Sequence, residues 1–137
     1  MRMEWELRTA MRVEFIELTD RVRTAVETAR MSEGFVLLFV PHTTAGLTIH
    51  ENADPDVLFD LTRRLERLAP HHADDRHAEG NSDAHLKSSL VGCSLTVPIS
   101  GSRPDLGTWQ GIFFCEFDGP RTRTVRVYLY PVSGAVA

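Results

Sequence analysis

The feature that most constrains the fold is one short, unbroken run of apolar residues, Phe35–Val40, which ends at Pro41. Its length is that of a β-strand and falls far short of the ~18 residues that a membrane-spanning helix requires. A run without polar interruptions is typical of a strand that is covered on both faces. We therefore predict a soluble chain, with no membrane partner, that is built on at least one buried strand.

Shorter patterns predict the elements that precede this run. Apolar and polar residues alternate over about 4–9 and 11–17, which predicts two short strands joined as a hairpin. After Thr19 or Asp20, apolar residues recur every three or four positions, so a helix capped by one of these residues follows. Gly34 suits the left-handed turn that ends such a helix.

The second half of the chain has the same mixture of patterns. A second helix is expected from Asp54 or Asp56 to about Leu68, and a short third one over Ala84–Leu90. Asp118-Gly119-Pro120 is expected to be a hairpin turn between the last two strands. Further strands are predicted at Gly46–His50, Ser94–Pro98, Gly111–Phe117 and Thr124–Tyr130. Together these elements predict a single α+β domain over residues 1–137, with about seven strands and two main helices.

Composition excludes several classes of protein. A chain of 137 residues with 42% hydrophobic and 25% charged residues is ordinary for one globular domain and argues against disorder. The net charge of -4 provides no basic field for a nucleic-acid partner. The first residues lack the apolar stretch of a signal peptide, so a cytoplasmic location is expected. Cys93 and Cys115 are expected to be small buried thiols, and Lys87 an exposed cation.

Imidazoles and carboxylates are concentrated in one stretch, His77-Ala78-Glu79-Gly80-Asn81-Ser82-Asp83-Ala84-His85. His77 and His85 would converge if the chain turns at Gly80, with Glu79 and Asn81 between them. Such groups suit a transition-metal site or proton transfer near neutral pH. A solvated polar loop is the alternative, because this histidine spacing matches no standard zinc motif.

A second polar group, His42-Thr43-Thr44, follows directly after the buried run. Functional side chains often occur where a rigid strand meets a loop, and hydroxyls with backbone N–H groups near a glycine can hold an anion. The alternative is that the two threonines satisfy local backbone groups and that His42 is a surface residue.

A third group comprises Trp109-Gln110 and the segment from Glu116 to Arg123. Trp109 and Gln110 could form the wall and hydrogen-bonding edge of a pocket for a planar ligand, or Trp109 could be a core or subunit-contact residue. The turn after Glu116 should bring Glu116, Asp118, Arg121 and Arg123 close together. Arg121 could then pair with Asp118 or bind a phosphate.

These motifs, in this order, resemble those of the YjbQ family, also called UPF0047 or the secondary thiamine-phosphate synthase family. The matching stretches are PHTTAGLTIHENADPDVLFDL, HAEGNSDAHLKSSLVG and LGTWQGIFFCEFDGPRTR. The resemblance implies an α+β sandwich of mostly antiparallel strands that assembles as a homotrimer, with the motif residues in a pocket near subunit boundaries. It also implies a transferase activity that joins hydroxymethylpyrimidine diphosphate to a thiazole phosphate and releases pyrophosphate.

Carried over motif by motif, the resemblance implies two sets of site residues and a phosphorylated small-molecule substrate. The candidate catalytic residues are His42, His77, Glu79 and His85. The candidate substrate-binding residues are Thr43, Thr44, Asn81, Trp109, Gln110 and Arg121.

A metal is expected on chemical grounds, because three carboxylates in such a pocket would repel a bare diphosphate. Glu79, Glu116 and Asp118 are therefore the candidate ligands of a divalent cation, Mg, Mn or Zn, that bridges to the phosphates. Two alternatives remain open. The pocket could bind a phosphorylated metabolite or a metal without catalysis, or its polar residues could be contacts within the trimer.

Overall fold

Strands dominate the fold. The computed structural model describes residues 1–132, in which there are eight strands and three helices. In chain order they are β1 (Arg2–Arg8), β2 (Glu14–Glu17), α1 (Thr19–Thr28), β3 (Gly34–Phe39), β4 (Ala45–Glu51), α2 (Pro55–Leu68), α3 (Ser82–Val91), β5 (Ser94–Ser100), β6 (Arg103–Pro104), β7 (Gln110–Glu116) and β8 (Thr122–Pro131). The predicted residues 133–137 of the domain lie outside the described residues.

The strands form two antiparallel sheets that enclose one core. The larger sheet has the order β1-β8-β3-β5-β6, and the smaller has the order β2-β7-β4. Val36 and Val127 of the larger sheet and Leu47 and Phe114 of the smaller one belong to the same buried cluster. The predicted α+β class is confirmed.

Both predicted hairpins are wrong. β1 pairs with β8, so that Leu7 faces Arg123, whereas β2 pairs with β7, so that Phe15 faces Cys115. The segment Asp118-Gly119-Pro120 likewise joins strands of different sheets. An alternating pattern specifies which face of a strand is buried but not which strand lies beside it, and here the chain crosses between sheets at both points.

The apolar run forms β3, but only one of its faces is fully covered. Val36 and Leu38 are buried, whereas Phe35 is 40% exposed and stacks on Tyr130 with 4.9 Å between ring centroids. An antiparallel sheet packs one face on the core, and the outer face of this one carries apolar rather than polar side chains. The expectation of a strand covered on both faces is therefore wrong within one chain.

The two main helices begin differently from one another. Asp54 caps α2 as predicted, because its side chain accepts a hydrogen bond from the Asp56 N–H at 2.9 Å. Neither Thr19 nor Asp20 caps α1. The Thr19 hydroxyl instead accepts a hydrogen bond from the Ile112 N–H, which ties the start of α1 to β7.

A buried ion pair joins α2 to α3. Lys87 is 1% exposed, and its ammonium group donates to the half-exposed carboxylate of Glu66. The expectation of an exposed cation is wrong because the packing of α3 encloses the whole lysine side chain. α2 itself has no fully buried residue, so it is attached by this pair and by Leu65, which packs against the small buried cluster of Ala84, Cys115 and Phe117.

Replacing Glu66 by alanine is expected to lower the free energy of unfolding by about 1–3 kcal/mol, because the buried ammonium group loses its partner. Chemical denaturation measures this change. Glu66→Ala combined with Lys87→Met is the matched control, since it removes both charges, and should be less destabilising than Glu66→Ala alone. A single variant as stable as the parent would contradict a structural role for the pair.

Two other properties concern the whole chain. Within residues 1–132, the helices are all too short or too polar to cross a membrane. Cys115 is buried, as expected, and burial raises the pKa of its thiol. Cys93 is exposed, so the expectation for this residue is wrong.

Candidate functional site

Three chain segments meet around an open cavity of about 390 Å³. One is the link between β3 and β4, another is the stretch before and at the start of α3, and the third is the beginning of β8. The lining residues are Pro41, His42, Thr43, Thr44, His77, Glu79, Asn81, His85, Arg121 and Arg123. The first two sequence motifs thus share one cavity with Arg121.

Arg123, which lines the cavity, forms a buried ion pair with Glu116. Arg123 is 4% exposed and Glu116 is fully buried. The guanidinium Nε donates to Glu116 Oε1 at 2.9 Å, and its Nη2 donates to Thr44 Oγ1 at 2.8 Å. Burial acts to raise the pKa of Glu116, but hydrogen bonds from Arg123 and Thr9 outweigh it and lower the pKa. Glu116 is therefore an anion whose charge is matched by Arg123.

His42 is held in one tautomer. Its Nε2 accepts a hydrogen bond from the Thr124 N–H at 2.9 Å, so the proton of the neutral ring lies on Nδ1. Burial, together with the positive charge of Arg123, lowers the pKa of His42. A neutral ring with this tautomer offers a ligand an N–H donor rather than a basic lone pair, which narrows its role to binding and orienting.

The lowered pKa of His42 predicts a loss of stability in mild acid. Below pH about 6.5 the unfolded chain takes up a proton at this residue more readily than the folded chain does. The free energy of unfolding should therefore fall from pH 7 to pH 5, and less steeply in His42→Asn, whose carbonyl can still accept from Thr124. Denaturation curves at each pH test this, and equal slopes for the two proteins would contradict it.

His77 and His85 form a pair of adjacent rings that line the same cavity. Their ring centroids lie 5.3 Å apart, and the rings are nearly perpendicular, at 85°. His85 is in the first turn of α3, where its N–H donates to the Asn81 carbonyl, and His77 lies in the segment before the helix. Imidazole is the side chain best suited to exchanging protons near neutral pH. These two residues, with Glu79 beside them, are the candidates for proton transfer.

Asp118 accepts hydrogen bonds from two residues that line the cavity, Asn81 and Arg121. Its Oδ2 accepts from Asn81 Nδ2 at 2.7 Å and from Arg121 Nη2 at 2.9 Å. Burial acts to raise the pKa of Asp118, but these hydrogen bonds and the nearby arginines lower it. Arg12 adds a bidentate pair with Asp83, at 3.1 and 3.2 Å, beside the Asp118 carboxylate. The start of α3 is thereby tied to the segment between β7 and β8.

The proposed trio of metal ligands does not form. Glu116 is paired with Arg123 and Asp118 with Arg121, so two of the three carboxylates are already neutralised. In the part of the chain that the structure describes, no three His, Cys, Asp or Glu side chains are grouped so as to hold a metal ion. The repulsion that a diphosphate would meet, which was the reason to expect a metal, is offset here by arginines.

Trp109 and Gln110 lie away from the cavity. They lie at the N-terminal end of β7, whereas Glu116 lies at its C-terminal end. An extended strand of this length separates its two ends by about 20 Å. Trp109 is 63% exposed, and Gln110 accepts a hydrogen bond from the Gly107 N–H. The expectation that all three motifs share one cavity is therefore wrong for this pair within a single chain.

Sequence reasoning missed two residues that shape the site. Arg123 was expected near Glu116 but was not identified as a site residue, although its spacing of two from Arg121 indicates the same face of a strand. Thr9 has no such local signal. Its hydroxyl donates to Glu116 Oε1 at 2.7 Å across 107 positions of sequence, a contact that only the fold creates.

A second cavity of about 370 Å³ adjoins the first and shares His42, Thr43 and His85 with it. It extends along α3 to the exposed Cys93. The shared residues therefore stand between two spaces, each large enough for a small molecule.

Comparison with known proteins gives consistent results. The family model described as "UPF0047 protein YjbQ-like" matches residues 3–131. A UPF0047 protein of Methanocaldococcus jannaschii is 50% identical over 123 residues, which cover 90% of this chain and 89% of the relative. The Bacillus subtilis UPF0047 protein YugU is 52% identical over 120 residues, covering 87% of this chain and 91% of the relative.

Solved structures are similar over almost the same length. A crystal structure of a YjbQ/UPF0047 family protein from Clostridium acetobutylicum has a TM-score of 0.91 and 48% identity, and covers 93% of this chain and 99% of that one. A crystal structure of a hypothetical protein from Aeropyrum pernix has a TM-score of 0.90 at 31% identity, covering 96% of this chain and 99% of that one.

Proposed function

The chain belongs to the UPF0047 family of YjbQ-like proteins, and we propose that its cavity binds a small phosphorylated metabolite and transforms it by acid–base catalysis. The observation that carries this proposal is the pairing of anion-binding donors with proton-transfer groups around one space. His42, Arg121 and Arg123 provide the donors, and the imidazoles of His77 and His85 provide the proton-transfer groups.

The donors suit a phosphate. Within residues 1–132, Nη1 of Arg121 and Nη1 of Arg123 make no hydrogen bond, while their other guanidinium nitrogens are held by Asp118, Glu116 and Thr44. A guanidinium that is fixed by carboxylates loses little conformational freedom when it binds a phosphate oxygen. The locked Nδ1–H of His42 adds a third donor without adding charge.

The most concrete reaction is the condensation of hydroxymethylpyrimidine diphosphate with thiazole phosphate. It needs two small-molecule spaces, and the two adjoining cavities meet that requirement. The ring nitrogen of the thiazole phosphate would form a bond to the methylene carbon of the pyrimidine as the carbon–oxygen bond to the diphosphate breaks. Negative charge then grows on the leaving oxygen, and Arg121, Arg123 and His42 would stabilise it. His77 or His85 would donate a proton to the departing pyrophosphate, whereas the attacking thiazole nitrogen has no proton to lose. Glu79 would orient the imidazole that carries that proton.

Incubation of the purified protein with both substrates tests this proposal directly. Separate reactions contain Mg, Mn, Zn or a chelator, and thiamine phosphate and pyrophosphate are quantified together. We expect the protein to form the two products in equal amounts. Neither product should form in a variant that lacks both His77 and His85. No product at saturating substrates in any of the four conditions would contradict the reaction.

The same samples distinguish catalysis from binding alone. A rise in unfolding temperature with either substrate, without turnover, would favour a module that holds a phosphorylated metabolite.

A homotrimer and a cytoplasmic location also belong to the proposal. Light scattering of the purified protein measures the first, and fractionation of the source cells measures the second.

A further inference from the structure

One side-chain oxygen of a residue that lines the cavity has no hydrogen-bond partner among the residues that the structure describes. Asn81 is 6% exposed, and its Oδ1 accepts no hydrogen bond from any residue that the structure describes. Asn81 precedes the first residue of α3, a position where asparagine usually caps the helix by accepting from a backbone N–H. Its side chain makes no such cap here. The first turn of α3 therefore lacks a capping hydrogen bond from Asn81, and Oδ1 of Asn81 accepts no other hydrogen bond from the described residues.

The orientation of this amide is determined by its neighbour. Nδ2 lies 2.7 Å from Asp118 Oδ2, and Arg121 donates to the same oxygen. The lowered pKa of Asp118 keeps its carboxylate ionised, so it can only accept hydrogen bonds. Exchanging the amide oxygen and nitrogen would bring two acceptors together. The unpartnered atom is therefore the oxygen.

An unsatisfied buried acceptor typically costs about 1–3 kcal/mol, and native proteins keep few of them. Asn81 lines the cavity, but its Oδ1 is itself buried, so a ligand reaches this atom only when neighbouring residues shift. The residues next to it in the chain, His77–Glu79, are exposed and belong to no helix or strand. They can therefore move slightly, at little cost, as a ligand reaches the atom.

We propose that the ligand of this cavity carries an uncharged N–H or O–H donor, which binds Asn81 Oδ1, in addition to the phosphate that the arginines bind. The substrate class is then an amino- or hydroxyl-bearing phosphate ester rather than a simple alkyl or aryl phosphate. The phosphate half of this inference rests on the proposed function. The donor half rests on Asn81 alone.

Matched benzyl phosphates test the donor half. The ortho, meta and para isomers of aminobenzyl and hydroxybenzyl phosphate are compared with their methyl isosteres by calorimetric titration. At least one amino or hydroxyl isomer should bind about tenfold more tightly than its isostere, which corresponds to about 1.4 kcal/mol. The amino and hydroxyl series distinguish which donor is preferred. If no amino or hydroxyl isomer binds more tightly than its methyl isostere, the inference is overturned, whether or not the phosphates bind.

Two variants locate the effect. Asn81→Leu, of similar volume, should bind the donor-bearing ligand and its methyl isostere with equal affinity. Ser82→Ala is the matched control, because it removes a hydroxyl next to Asn81 that does not line either cavity, and it should retain the preference. A preference that persists in Asn81→Leu would assign the contact to another residue and contradict the proposal. If Asn81→Leu does not fold, the comparison of isosteres on the unmodified protein still decides.

These titrations are independent of turnover. Benzyl phosphates lack the diphosphate leaving group, so a preference for donors can be found even if no thiamine phosphate is formed. Conversely, product formation without any donor preference would support the proposed reaction and reject the role of Asn81.

Discussion

Replacement of Glu116 by alanine should lower the free energy of unfolding by about 3–5 kcal/mol, the range found when one partner of a buried ion pair is removed. Arg123 would keep its charge at 4% exposure without a counter-ion. Thr9 and the Asp118 N–H would lose their acceptor at the same time. Urea denaturation of the purified variant measures the change.

The matched controls separate burial from charge. Glu4→Ala removes the partner of Arg2 and of Arg126 in two ion pairs that are about half exposed, and should cost less than about 1 kcal/mol. Glu116→Leu combined with Arg123→Met replaces both charges by apolar groups and should recover much of the stability lost in Glu116→Ala. If Glu116→Ala were no more destabilising than Glu4→Ala, the buried ion pair would not stabilise the fold around Arg123.

The largest effect on activity is expected from His77→Gln, which should reduce kcat/KM for thiamine phosphate formation by about 10²- to 10⁴-fold. Glutamine keeps a polar side chain of similar size but cannot exchange a proton near neutral pH. His77 is exposed and lies in a segment without helix or strand, so its replacement should leave the free energy of unfolding nearly unchanged. Steady-state kinetics with both substrates measure the effect.

His71→Gln is the matched control, because His71 is also exposed in the segment between α2 and α3 but does not line the cavity. It should retain full activity. His85→Gln should resemble His77→Gln, and the double variant should lose little more than either single one if the two rings act as a unit. Turnover within twofold of the parent in His77→Gln would remove this residue from the proposed mechanism.

Sequence reasoning predicted correctly that His42–Thr44, His77–His85 and Arg121 lie around one cavity, and the closest pair has a local reason. His77 to His85 span less than three turns of helix, so the turn before α3 was enough to bring their rings together. The same reasoning failed for Trp109 and Gln110, which β7 holds at the far end from Glu116. It expected Arg123 near Glu116 but did not predict that the two form a buried ion pair, which joins β7 of the smaller sheet to β8 of the larger one.

Local patterns alone determined most of the strands, the helices and the cap at Asp54, because alternation, helical spacing and capping depend on residues that are only a few positions apart. The tertiary structure decided which strands pair, that Lys87 is enclosed, and that Thr9 reaches Glu116. Those outcomes depend on the packing of two sheets and three helices around one core. No short stretch of sequence contains the information that specifies such contacts, since each requires segments far apart in the chain to be in place together.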